Sequence, residues 1–105
     1  MITTHVLDTA AGRPGRGIAI ELEHLSGAGA WQHLARGATD SDGRCKTLTP
    51  PGPLPTGTYR LRFEVSQQSP FFPTVEIQFV VADGEQHYHV PLLISPYGYS
   101  TYRGS

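Results

Sequence analysis

The chain has 105 residues and a mass of 11.4 kDa, the usual size of one domain, so residues 1–105 are predicted to form a single unit. Eight Lys and Arg residues against nine Asp and Glu residues give a net charge of -1, so no broad cationic field attracts nucleic acid or an anionic membrane. No stretch approaches the ~20 consecutive apolar residues of a membrane-spanning helix, and the single cysteine, Cys45, excludes an internal disulfide and a multi-cysteine metal site. The first residues lack a basic start followed by an apolar stretch, so we expect a cytoplasmic protein, with the periplasm as the alternative if a signal segment has been removed.

Apolar and polar residues alternate along several short segments, which is typical of half-buried β-strands. In chain order, strands are predicted over residues 2–8, 18–23, 31–39, 45–48, 59–65, 75–81, 87–95 and 99–103. Glycine and proline fall between these segments, and connections this short favour antiparallel neighbours. At most one helical turn is predicted, near residues 66–69. The sequence therefore predicts an all-β protein, an antiparallel β-sandwich of seven or eight strands.

The strand over residues 87–95 has two faces that differ in kind. One row is apolar, and the other carries two imidazoles together with Pro91 and Leu93. If the apolar row packs into the core, the second row lies on the outside, which indicates a subunit interface or a pocket. Pro91 lacks an N–H and therefore favours an edge strand or a bulge. The His87-x-His89 spacing fits a pair of metal ligands, a catalytic pair or two solvated side chains, and the spacing alone does not decide among them.

Three separated motifs resemble one known family. They are Thr3 to Ala10 with Gly12-Arg13-Pro14, the turn Thr39-Asp40-Ser41-Asp42-Gly43-Arg44, and HYHVPLLISPYGYSTYRGS from His87 to Ser105. These motifs resemble those of the transthyretin-related proteins that act as 5-hydroxyisourate hydrolases, and the resemblance spans the whole chain. It implies a transthyretin-like (prealbumin-like) sandwich that forms a homotetramer, a dimer of dimers, with active sites in the channel where dimers meet. It also implies an enzyme of urate degradation that converts 5-hydroxyisourate to 2-oxo-4-hydroxy-4-carboxy-5-ureidoimidazoline without a cofactor.

The resemblance places the family's catalytic residues on His5, Arg44, His89 and the ending Tyr102 to Ser105. Opening a cyclic amide needs a base for the attacking water and donors for the developing oxyanion. We expect His89 to be the base and His5 its hydrogen-bonded companion, although the two roles could be exchanged.

The remaining residues of this set are expected to bind or position the substrate. The guanidinium of Arg44 can pair with adjacent acceptors on a flat anionic ring. Tyr102 is expected to contact the substrate through its backbone or its hydroxyl group, and Ser105 to lie beside the substrate or the water with its hydroxyl group or its terminal carboxylate. Arg103 is the candidate for an intersubunit ion pair. Because two close imidazoles resist double protonation, activity should fall in mild acid.

Two other functions are compatible with the sequence. A transthyretin-like carrier would bind a small molecule in the same channel without turnover, although transthyretin lacks the histidine pair and the YRGS ending. A zinc site could use His5, His87 and His89, but no neighbouring Asp, Glu or Cys reinforces it. We therefore predict a metal-free hydrolase whose partners are its substrate and further copies of the chain.

Overall fold

The computed structural model describes residues 1–105 and contains nine strands. The strands are β1 (Ile2–Asp8), β2 (Arg13–Pro14), β3 (Ala19–Leu25), β4 (Trp31–Ala38), β5 (Arg44–Cys45), β6 (Gly57–Glu64), β7 (Thr74–Val81), β8 (Tyr88–Ser95) and β9 (Gly98–Thr101). Each of the eight predicted segments overlaps a strand, although β5 shares only Cys45 with the prediction over residues 45–48. The ninth, β2, is a two-residue strand within a segment predicted to be a turn, so the expected total of seven or eight was too low.

The strands form two sheets. Sheet I has the order β2-β1-β8-β9, and β5 also pairs with β1; sheet II has the order β4-β3-β6-β7. The hairpins are antiparallel as predicted, but β1 and β8 pair in parallel. Parallel neighbours need a long connection, and more than 70 residues separate these two strands. None of the elements is a helix that could cross a membrane.

The core lies between the sheets and is built from the alternating rows that the sequence shows. Eighteen buried apolar residues form one cluster, in which Tyr59, Leu61 and Phe63 of sheet II face Leu92 and Ile94 of sheet I. Full burial of such a side chain stabilises the fold by roughly 1.5–3 kcal/mol. The all-β sandwich prediction is confirmed, and the packed core fixes which face of each strand points outward.

The turn at residues 66–69 agrees with the prediction, whereas Pro91 lies in an interior strand. Residues 66–69 form a single hydrogen-bonded turn, in which the N–H of Ser69 donates to the carbonyl of Val65, and no helix. Pro91 is predicted on an edge strand or at a bulge; the edge strand is wrong because β8 lies between β1 and β9, but the pairing is irregular at Pro91. Its missing N–H is on the side of β9, where strand pairing is interrupted after Thr101 and resumes only at the bridge between His89 and Gly104.

Candidate active site

The candidate residues converge because β1 lies between β8 and β5. Ile2, Thr4 and Val6 point into the core, so Thr3 and His5 lie on the outer face of sheet I. The parallel register places Thr3 opposite His89. On its other edge, β1 pairs His5 with Arg44. Three segments that are distant in the sequence therefore meet on one outward surface.

A cavity of about 360 Å³ opens on this surface. Its lining includes three of the predicted site residues, Arg44, His89 and Ser105, together with His87. The remaining lining residues are Met1, Thr3, Thr4 and Lys46. Only one of the eight is hydrophobic, so the cavity suits a small polar molecule.

Histidine contacts in the cavity differ from those expected. The hydroxyl oxygen of Thr3 lies 2.8 Å from Nδ1 of His89 and 2.7 Å from Nε2 of His87. His5 does not bond to His89 within the chain; its Nε2 lies 2.9 Å from the carbonyl oxygen of Asp42. The companion of His89 is therefore Thr3, and the expected hydrogen bond from His5 is wrong for the single chain. No group of three His, Cys, Asp or Glu side chains is arranged to hold a metal ion.

The surroundings of His89 disfavour its charged form. Partial burial lowers the pKa of its imidazole, and the nearby Arg44, His5 and His87 lower this pKa further. A histidine with a depressed pKa is neutral at pH 7. Nδ1 is bonded to Thr3, so Nε2 is the ring nitrogen of His89 without a partner within the chain.

The turn before β5 aims Arg44 at the cavity. The carboxylate of Asp40 accepts hydrogen bonds from the backbone N–H groups of Arg44 and Asp42, and these bonds lower the pKa of that carboxyl group. Gly43 has φ +76°, and an added Cβ would lie 2.5 Å from the carbonyl oxygen of Val6. Only glycine fits this close approach. The Asp-Gly-Arg sequence thus forms the turn that places the guanidinium of Arg44 at the cavity.

Two cations of the cavity have no acidic partner. Neither Arg44 nor Lys46 forms an ion pair, whereas four other basic side chains of the chain do so. Two unpaired side-chain cations in one cavity favour an anionic or electron-rich ligand.

The carboxy-terminal tail is held against His89. The N–H of Gly104 donates to the carbonyl of His89 at 2.8 Å. A Cβ on Gly104 would lie 2.6 Å from Cδ2 of the His89 ring and 3.3 Å from Pro91. The glycine therefore allows the tail to cross the imidazole closely, and this crossing places Ser105 at the cavity.

Tyr102 and Arg103 lie outside the cavity that contains the imidazoles. Their side chains line a second cavity of about 260 Å³ beside β7. Arg103 donates to Oε1 of Gln86 at 2.8 Å and stacks on the ring of Tyr88, 4.5 Å from its centroid. The structure thus brings Ser105 to the imidazoles but leaves the side chain of Tyr102 outside their cavity. Four residues line the cavity of the imidazoles without a role predicted from the sequence: Met1, Thr3, Thr4 and Lys46.

Comparison with known proteins assigns the family. Residues 2–104 match the model of the HIUase/Transthyretin family. The chain is 42% identical to the 5-hydroxyisourate hydrolase of Mus musculus, over 99% of this chain and 94% of that protein. Its fold is similar to the structure of Klebsiella pneumoniae 5-hydroxyisourate hydrolase, with a TM-score of 0.83, 36% identity and coverage of 99% and 98%. It is also similar to sea bream transthyretin in complex with thyroxine, with a TM-score of 0.90, 28% identity and coverage of 98% and 93%. The chain belongs to the HIUase/Transthyretin family.

Proposed function

We propose that the protein hydrolyses 5-hydroxyisourate in the cavity on sheet I. The observation that carries the proposal is the placement of one half-buried imidazole with a lowered pKa, His89, beside the unpaired guanidinium of Arg44. The first supplies a base at neutral pH, and the second supplies donors for an oxyanion. The hydrolase relatives match nearly the whole chain and have a higher sequence identity to it than sea bream transthyretin has. This also favours the hydrolase function.

The chemistry assigns a role to each group. As a water oxygen bonds to a ring carbonyl carbon, Nε2 of His89 takes a proton from that water. The N–H groups of Arg44 stabilise the negative charge that develops on the former carbonyl oxygen. When the adjacent ring C–N bond breaks, His89 returns the proton to the departing nitrogen and becomes neutral again. Lys46 and Ser105 lie where they can hold the polar ring during these steps.

His5 does not line the cavity and forms no bond to His89, so in this scheme it acts on His89 only at a distance. It shares the outer face with Thr3 and contributes to the low pKa of His89. Tyr102 would reach the substrate only through its backbone or through a change in the tail, because its side chain lies in the second cavity.

We also propose that the protein assembles as a homotetramer, as the family resemblance implies. Leu7 and Leu93 lie opposite each other on the outer face of sheet I, and both are partly exposed. Apolar side chains on an outer face favour a subunit contact. Light scattering on the purified protein should give four times the 11.4 kDa chain mass; a mass of one chain would contradict the assembly.

The function is tested by adding the purified protein to freshly generated 5-hydroxyisourate and following the decay of its absorbance. Acceleration that survives treatment with a chelator supports a metal-free hydrolase. Saturable binding without acceleration would instead identify a small-molecule carrier, the alternative favoured by the close fold similarity to sea bream transthyretin. Loss of the acceleration on chelation would point to a metal site.

A further inference from the structure

Thr3 occupies an unusual position between two histidines. Its side-chain oxygen is within hydrogen-bond distance of Nε2 of His87, at 2.7 Å, and of Nδ1 of His89, at 2.8 Å. Thr3 is buried, with 5% of its surface exposed, and the parallel pairing of β1 with β8 holds it opposite His89. We refer to these three side chains as the imidazole–hydroxyl chain.

The number of protons in the imidazole–hydroxyl chain couples the tautomers of the two rings. A hydroxyl group donates one hydrogen bond, and a neutral imidazole has one N–H. If Thr3 donates to His87, it can accept the Nδ1–H of His89, and Nε2 of His89 then carries a lone pair. If Thr3 donates to His89, the proton of that ring is on Nε2 and the ring cannot act as a base there. The direction of one hydroxyl proton therefore decides which nitrogen of His89 is basic.

We propose that Thr3 is a positioning residue that accepts the Nδ1–H of His89 and donates its own proton to His87, so that Nε2 of His89 faces the cavity unprotonated. The inference rests on the proposed hydrolase function and deepens it. Thr3 acts through the ring of His89.

The charges around the cavity select this direction. Arg44 and Lys46 line the same cavity and have no acidic partner. A positive potential favours a lone pair facing the cavity over an N–H. His87 is exposed, so its Nδ1–H can be satisfied by water while its Nε2 accepts from Thr3.

The backbone of the tail packs closely against the ring of His89 and favours this arrangement. Gly104 lies against its Cδ2 edge, and an added Cβ there would approach within 2.6 Å. The ring is thus held between the tail and Thr3. A ring held in this way depends on its hydrogen-bond partner to set the tautomer.

The kinetic test compares Thr3→Val with Thr3→Ser. Valine keeps the shape and strand preference of threonine but removes the hydroxyl group. We expect Thr3→Val to lower kcat roughly 10²-fold, the lower range of general-base catalysis, with KM little changed. Thr3→Ser should recover most of this loss. The matched control is Thr9→Val, because the hydroxyl of Thr9 also donates to β8, at the carbonyl of Ile94, but touches no imidazole.

Variants of His87 test the far end of the imidazole–hydroxyl chain. The amide oxygen of His87→Gln can accept the hydrogen bond from Thr3, whereas His87→Leu cannot. We therefore expect a loss similar to that of Thr3→Val for His87→Leu and a clearly smaller loss for His87→Gln. Equal activity of Thr3→Val, His87→Leu and the unsubstituted protein would overturn the proposal.

Nitrogen-15 NMR of the unsubstituted protein tests the proposal without an activity measurement. The His89 ring should have a protonated Nδ1 and a bare Nε2, and Thr3→Val should give a mixture of tautomers. A proton on Nε2 of His89 in the unsubstituted protein would overturn the role of Thr3 even if the protein hydrolyses 5-hydroxyisourate. If the protein shows no hydrolysis but has the expected tautomer, the proposed function fails and the positioning role of Thr3 stands.

Discussion

The outer faces of the two sheets both carry charged side chains, but they arrange them in opposite ways. On sheet II the charges are paired across strands. Arg60 of β6 contacts Glu23 of β3 at 2.8 Å, and Arg62 contacts Glu76 of β7 at 3.1 Å. On sheet I the cations beside the imidazoles have no carboxylate within 4.0 Å.

This difference separates charges that serve the fold from charges that serve a site. Opposite charges on neighbouring strands stabilise their pairing and neutralise each other's field. Arg44 lies unpaired beside the half-buried imidazole of His89, and after burial it is the next cause of the lowered pKa of that ring. We therefore expect substitutions of the unpaired cations on sheet I to change the reaction rate. Substitutions of the paired charges on sheet II should change only the stability of the fold.

Replacing a histidine on each face gives the largest contrast. His89→Ala removes the proposed base, so kcat/KM for 5-hydroxyisourate should fall by ~10²–10⁴. His33→Ala removes an exposed imidazole near Glu21 on sheet II and should leave the rate unchanged. The decay of substrate absorbance measures both. Equal rates for the two variants would remove His89 from the mechanism.

An arginine substitution on each face gives the next contrast. Arg44→Lys keeps the charge but loses the planar fork of donors, so we expect kcat/KM to fall roughly 10²-fold, comparable to the loss of one oxyanion donor. Arg36→Lys changes an exposed arginine paired with Glu21 and should not alter the rate. If lysine serves as well as arginine at position 44, a point charge suffices and bidentate recognition is wrong.

A methyl group added at a glycine tests the tail. Gly104→Ala places a Cβ against His89 and must displace either the ring or the tail, so we expect activity to fall tenfold or more, since misplacement by about 1 Å can cost ~10²-fold. Gly27→Ala is the control, because a Cβ there meets nothing within 4 Å. The midpoint temperature of thermal unfolding should be similar for the two variants. Full activity of Gly104→Ala would show that the close crossing is not required.

The pH dependence follows from the direction of the pKa shift of His89. Burial first, and then Arg44 and the other histidines, lower this pKa below 6.5, so the ring stays neutral through pH 7. The kcat/KM profile should therefore lose activity only below pH 6.5 as the base becomes protonated. Arg44→Met should move this acid limb toward higher pH, whereas Arg44→Lys should leave it in place. An acid limb centred above pH 6.5 would contradict the shift.

The same shift also predicts how stability changes with pH. The unfolded chain binds a proton at the ordinary pKa of His89, while the folded chain binds it only at lower pH. The contribution of this group is therefore present above about pH 6.5 and is lost as the pH falls through the lower folded value.

Much of the sandwich could be predicted because alternation is a local signal. The strand over residues 87–95 shows its two faces in the sequence alone, and the structure buries the row of Tyr88, Val90, Leu92 and Ile94 as predicted. A turn such as Asp42-Gly43 is likewise marked by its own residues.

The contacts of the site could not be predicted in the same way. Thr3 meets His89 only because β1 pairs in parallel with a strand more than 80 residues away, and no local pattern carries that register. For the same reason, His5 was assigned to His89 although its ring turns toward Asp42. The path of the tail, which separates Tyr102 from Ser105, depends on Pro91 interrupting the pairing with β9.

The smallest effect on activity is expected from the buried pair of sheet II. Arg60→Met leaves Glu23, which is 8% exposed, without the guanidinium that bonds to it, so unfolding should require about 1–3 kcal/mol less free energy. The double variant Glu23→Gln/Arg60→Met should recover part of this loss, because removing both partners costs less than leaving one unpaired. Denaturant unfolding measures the stability, and the hydrolysis rate per folded molecule should be unchanged in both variants. A change in rate would mean that the two faces are coupled through the core, and the separation of their charges into stability and chemistry would not hold.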